Sequence, residues 1–242
     1  MINYNTTKPP EPPKKMFSYE ALYLSFSFFA LIFIFNEIFI YDLSVISKMG
    51  LENASKIDLN KLYVTLNVLG SVAIPIGAFL IEQSVLKDKK FLYKLIAPAL
   101  CYEIIYDLYA FDKFFEYRFQ SIAIAFLFGA LYSALYRKYE EKWWINVILS
   151  IAFLVISAIS GIDRGVIIAA IFVVLNFFEK DLKTQSLFSF VVSIAGGGMV
   201  LGNVFIYFYD GYYNRKKFND YLNWIFVIIA LLVWRIRVIF LG

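Results

Sequence analysis

The sequence predicts an all-α protein, a polytopic integral membrane helix bundle of about eight transmembrane helices, and three observations carry that reading. Of its 242 residues, 61% are hydrophobic and only 17% charged, with a mean hydropathy of +0.67, whereas charged residues make up about a quarter of a soluble domain. Apolar runs near the roughly 20 residues that a span requires recur along the chain, separated by short charged segments. Aromatic residues reach 20%, and Trp143-Trp144 and Tyr212-Tyr213 stand where apolar runs meet charged loops, the placement of an interfacial belt.

Residues 1–16 form a separate unit, a Pro-rich polar segment, MINYNTTKPPEPPKK and Met16, expected to be a disordered cytosolic tail because it has little apolar area to bury. Residues 17–242 then form a single transmembrane domain. The first span, 19–41, is too long for the apolar region of a signal peptide and no A-x-A site follows it. It ends in FIFNEIFIYD, where Asn36 and Glu37 interrupt an otherwise apolar run. The second, 62–81, carries Pro75 and Gly77 and is expected to kink. The third, 95–110, contains Glu103 and Asp107, four residues apart and so on one face.

The remaining spans are placed at 121–136, 143–163, 165–178, 186–209 and 222–241. The count falls to six or seven where a short one is re-entrant. In the seventh, SIAGGGMVLGN sets Gly198 and Gly202 at the spacing that lets helices approach closely, or marks an unwound half-helix. Orientation follows the lysine and arginine bias of short loops. With the N-terminus inside, Lys8, Lys14, Lys15, Lys87, Lys89, Lys90, Lys94, Arg137, Lys138, Lys142, Lys180, Lys183, Arg235 and Arg237 are cytosolic, fourteen of 23 basic residues. A multi-pass protein of the cytoplasmic membrane with both termini cytosolic is therefore expected.

In that topology Asn36, Glu37, Glu103, Asp107, Gln120, Asp163 and Arg164 all fall toward the outer half of the membrane. An ionisable group in a span usually lines a cavity or finds a partner, so a polar cavity facing the extracytoplasmic side is expected. The plainer alternative is that Glu37 snorkels, Asp163-Arg164 is a loop pair, and Glu103 and Asp107 bond neighbouring helices. The basic turn from Lys87 to Lys94 is a topology signal, or a handle for anionic headgroups or a phosphate-bearing cofactor. There is no histidine, which removes the commonest general base and metal ligand. The single Cys101 has no mate, and no metal site and no nucleic-acid partner are expected.

The order of segments resembles the TraX family, polytopic membrane proteins related to a wider group of transmembrane acyltransferases. Gly70, Pro75, Ala78, Phe79, Leu80 and Glu82 match a G-x-x-x-x-P-x-x-A-F-L-x-x-E-like segment, and Glu103 with Asp107 matches a following Glu-x-x-x-Asp. Gln120-Ser121 with Gly129, Asp163-Arg164-Gly165 and Tyr213-Asn214-Arg215-Lys216-Lys217 approximate the later elements. The resemblance covers about residues 20–240. Two family histidines are missing: Asn36-Glu37 stands where the family has Asp-His, and the last span lacks the Tyr-Pro-x-His-Leu-like motif.

The resemblance implies acyl transfer to a membrane-associated peptide or envelope acceptor, with acyl-CoA as donor. Glu37, or the pair Glu103 and Asp107, would replace histidine as base. Asn36, Gln120, Asp163 and Arg164 would bind substrate, and Lys90 and Lys94 the cofactor. Two other readings stay open: an inactive relative that is a scaffold for a pilin-like peptide or another membrane protein, and a small transporter that relays protons or cations through its carboxylates.

Overall fold

The structure, a computed structural model, describes residues 17–40, 56–88, 90–116, 120–162, 164–211 and 218–241. The proposed tail before Met16 and the site candidate Asp163 lie outside the described residues. Helices account for all regular structure among those residues, apart from isolated bridges that join Phe17 to Tyr209 and Gln120 to Ile162.

Helix α1 (Tyr19–Phe35) starts behind an N-cap in which Ser18 accepts the Ala21 N–H at 3.2 Å. It continues into one π turn, Asn36–Ile40. Helices α2 (Lys56–Ser71) and α3 (Ala73–Lys87) follow as two halves of one bent rod. Pro75 provides no N–H for the first turn of α3, and the joint falls just before it. The rod runs antiparallel to α1 in fixed register. Tyr19 Oη meets Ser84 Oγ at 3.1 Å, Gly77 lies under the Phe26 ring, and Gly70 lies against the Phe33 backbone. A side chain at either glycine would push these helices apart.

Next come α4 (Phe91–Phe111), α5 (Ile122–Lys138), α6 (Trp143–Ile159) and α7 (Gly165–Phe177), each reversing the direction of the last. Helix α3 is central and packs on α1, α5, α7 and the later α9. Buried side-chain bonds tie the neighbours: Tyr132 Oη to Ser150 Oγ at 2.8 Å between α5 and α6, and Asn176 Nδ2 to Ser133 Oγ at 2.9 Å between α7 and α5. The outer face of α6 is apolar and exposed at Trp144, Ile148, Ile151, Val155 and Ile159, a stripe that water does not favour.

The segment expected as a single span at 186–209 is a hairpin instead. Helix α8 (Leu182–Ser193) ends in a 3₁₀ turn, Ile194–Gly196, and at Gly197, with φ +63°, the chain turns back into α9 (Met199–Tyr207). Ser186 Oγ donates to the Asn203 carbonyl at 3.0 Å, and Asn203 Nδ2 to Ser193 Oγ at 2.9 Å, which holds the arms together. Gly198 and Gly202 seat α9 on the bent rod. A Cβ on the first would strike the Val68 carbonyl, and on the second the Val72 carbonyl and the Pro75 ring. The hairpin leaves where it entered: Phe17 donates its N–H to the Phe208 carbonyl at 3.1 Å and accepts that of Asp210 at 2.9 Å.

Helix α10 (Phe218–Leu241) therefore starts at the end of the bundle where α1 starts. Tyr23 Oη donates to Asn223 Oδ1 at 3.4 Å near its beginning, and Arg237 Nη1 donates to the Tyr109 carbonyl at 2.9 Å near its finish. The passes from end to end are α1, α2–α3, α4, α5, α6, α7 and α10, seven among the described residues. Two of these, Tyr19–Ile38 and Asn60–Lys87, are long and apolar enough to cross a membrane, and the eighth pass expected, over 186–209, is not among them. The run at 186–209 is long enough to cross, but its glycines fold it in the middle.

Candidate functional site

The carboxylates of α4 accept backbone amides nearby, while Asp107 Oδ1 is buried without a partner among the described residues. Glu103, 4% exposed, accepts the N–H of Ser121 on both oxygens, at 3.0 and 3.3 Å. Ser121 is the N-cap of α5, where unmet amides and the helix dipole favour a negative group. Asp107, fully buried, accepts the Glu116 N–H on Oδ2 at 2.9 Å, and its carbonyl receives the N–H of Asp112, whose φ of 54° ends α4. Gln120 extends the same lashing: its Nε2 donates to the Glu116 carbonyl at 3.0 Å and its N–H to the Gly161 carbonyl. Glu103, Asp107 and Gln120 thus all bond groups at the connection between α4 and α5.

Asn36 and Glu37 sit across from them, in the π turn. π turns within helices are frequent at functional sites. The Asn36 side chain has no solvent exposure, and neither its Nδ2 nor its Oδ1 has a partner among the described residues. An unmet buried amide costs about 1–3 kcal/mol per group, so the position has a polar capacity that the fold itself does not use. Glu37 is half-buried beside it and within electrostatic range of Tyr102 on α4, as is Glu103. Ile34 and Ile38 pack with Tyr102, Ile105 and Ala230, which closes this end between α1, α4 and α10.

Arg164 belongs to a third group. It precedes α7 with φ 53°, bonds Asn67 Oδ1 through Nη2, and lies over the Phe33 ring at 5.7 Å. Asn67 in turn donates to Tyr63 Oη at 3.3 Å. Asn67 and Tyr102 were not anticipated; a single polar amide or phenol in an aromatic-rich helix gives no spacing signal.

Lys90 and Lys94 lie at the opposite end. Lys94 Nζ pairs with Asp88 at 3.0 Å, and the Lys90 N–H caps the same carboxylate at 2.9 Å. From Lys94 to Glu103 is about 14 Å along α4 at 1.5 Å per residue, so the proposed cofactor handle and the proposed catalytic groups are not one site.

Between these ends lies a cavity of about 130 Å³, bounded by α1, α3, α4, α5 and α10. Its wall is apolar, with Phe26, Ile74, Leu95, Ala99 and Phe126 along its length; Tyr23, Ser84 and Asn223 are at one end and Tyr102 at the other. Glu37, Glu103 and Asp107 are not among the residues that line it. Comparison with protein-family models, curated proteins and solved structures gives no significant match.

Proposed function

We propose that this is a TraX-like multi-pass protein of the cytoplasmic membrane, which transfers an acyl group to a membrane-associated peptide or envelope acceptor at its extracytoplasmic end. The observation that carries the reading is the fully buried, unpartnered Asn36 amide next to Glu37 in a π turn. In acyl transfer a base removes the acceptor's proton as that atom attacks the acyl carbonyl, and a donor stabilises the oxyanion that develops. Glu37 suits the first role and the Asn36 Nδ2 the second. The C–S bond of an acyl-CoA thioester then breaks, and the acceptor's proton leaves with the thiol.

In this reading the chain crosses seven times, so a cytosolic start implies an extracytoplasmic finish. The basic turn Arg215-Lys216-Lys217 then joins the cytosolic side and Arg235 and Arg237 leave it, so fifteen of 23 basic residues are inside. The positive-inside bias is stronger than with eight spans. By the resemblance, Lys90 and Lys94 would hold the phosphates of acyl-CoA.

The test is acyl transfer by purified protein in nanodiscs from labelled acetyl-CoA to peptide and envelope-glycan acceptors. Transfer that Glu37→Gln removes supports the reading; transfer unchanged in that variant overturns Glu37 as base. A specific observation favours a second reading, that of a scaffold without catalysis: Glu103 and Asp107 serve backbone amides. No transfer to any acceptor, with a peptide or membrane protein co-purifying, would select it.

A further inference from the structure

We propose that the apolar cavity holds one acyl chain of an anionic phospholipid from the cytosolic leaflet, with its headgroup at the Lys87–Lys94 turn. The inference rests on the membrane reading above and not on acyl transfer. The length fits. From Phe91 to Tyr102 the cavity follows α4 for about 16 Å, close to half of the ~30 Å hydrocarbon core, which is the depth of one leaflet. Ala73 to Ser84 on α3 covers the same distance on the opposite wall.

The direction is set by the ends. At the α1 start, Tyr23, Ser84 and Asn223 give hydroxyl and amide groups at the level of a lipid's ester region, and Lys87 and Lys90 stand exposed above them. The sequence KDKKFLYK places four lysines and one aspartate there, a net positive charge that matches an anionic headgroup. At the far end Ile34, Ile38, Tyr102, Ile105 and Ala230 close the space with hydrocarbon, where a terminal methyl belongs. Pro98 and Ala99 line the α4 side, and Gly77 on α3 lets the Phe26 and Phe126 rings close over the space at mid-length.

The test is photolabelling of the full chain in vesicles of phosphatidylglycerol or phosphatidylcholine that carry a diazirine on one acyl chain, with mapped peptides. Labelling of 91–102 and 73–84 is expected, about fivefold weaker in Lys90→Gln for each lysine removed, and for phosphatidylglycerol only. Ala99→Phe with Ala123→Phe should abolish groove labelling and leave the α6 stripe labelled. Wild-type label confined to α6 overturns the proposal, as does equal labelling by both lipids. Displacement of groove label by acetyl-CoA would assign the space to that cofactor's arm and overturn it as well. Absence of label on α6 too would instead sink the membrane reading. The wild-type map decides without any variant, should the double substitution fail to fold.

Discussion

The Asp107 carboxylate grips the backbone N–H of Glu116 at 2.9 Å, nine residues further along the chain. A carboxylate placed so is part of the fold. Asp107→Leu should lower stability by about 1–3 kcal/mol, because it strands a buried amide. Asp107→Asn keeps an acceptor oxygen and should melt close to wild type in detergent. Acyl transfer lost in Asp107→Asn at an unchanged melting temperature would return this residue to the chemistry.

Asn36 should behave in the opposite sense. Asn36→Leu replaces an unmet polar group by an apolar one of similar volume, so stability should rise by on the order of 1 kcal/mol, and the melting temperature with it, while acyl transfer falls. A variant that is less stable would mean that the amide is bonded in the working protein.

The chain ends should be reached from different sides. In a Cys101→Ser background, Gly242→Cys should react with an impermeant maleimide applied to intact cells, and Lys15→Cys only after lysis. Protection of both would restore an even number of crossings.

Gly198→Ala should cost about 1–3 kcal/mol, the range for overpacking, since its Cβ meets the Val68 backbone. Gly196→Ala, two residues away, meets only the flexible Met199 side chain and should be within about 1 kcal/mol of wild type. Equal effects on thermal unfolding would disprove the seating of the hairpin on the bent rod.

Much of the fold was legible because apolar runs of span length leave few options: the helices from α1 to α7 and α10 lie close to where the hydropathy puts them. The hairpin was not, since hydropathy over 186–209 is blind to direction. Only Gly196 to Gly198 hinted at a break, and the same glycines equally suit close packing. At the candidate site, residue type drew attention to Asn36 and Glu37, and the structure sets them in a π turn with Asn36 fully buried. At Glu103 and Asp107 spacing showed only part: i and i+4 place them on one face, but that the face meets the Ser121 and Glu116 amides is something no sequence pattern displays. Glu82 shows the same limit. It is fully buried on α3 with Gln83 Nε2 on one oxygen, and its neighbours Arg137 and Glu179 come from positions far along the chain.

The α8–α9 hairpin also bears on biogenesis. A segment that enters and leaves by one face adds no crossing, so its insertion carries no hydrophilic loop through the bilayer and can come after the passes around it are in place. Its parity is even whether it is inserted or not. Replacing 182–207 by a short polar linker should thus leave the C-terminus on the same side of the membrane, while the groove on the bent rod that α9 had filled, from Val68 on α2 to Phe79 on α3, opens to lipid.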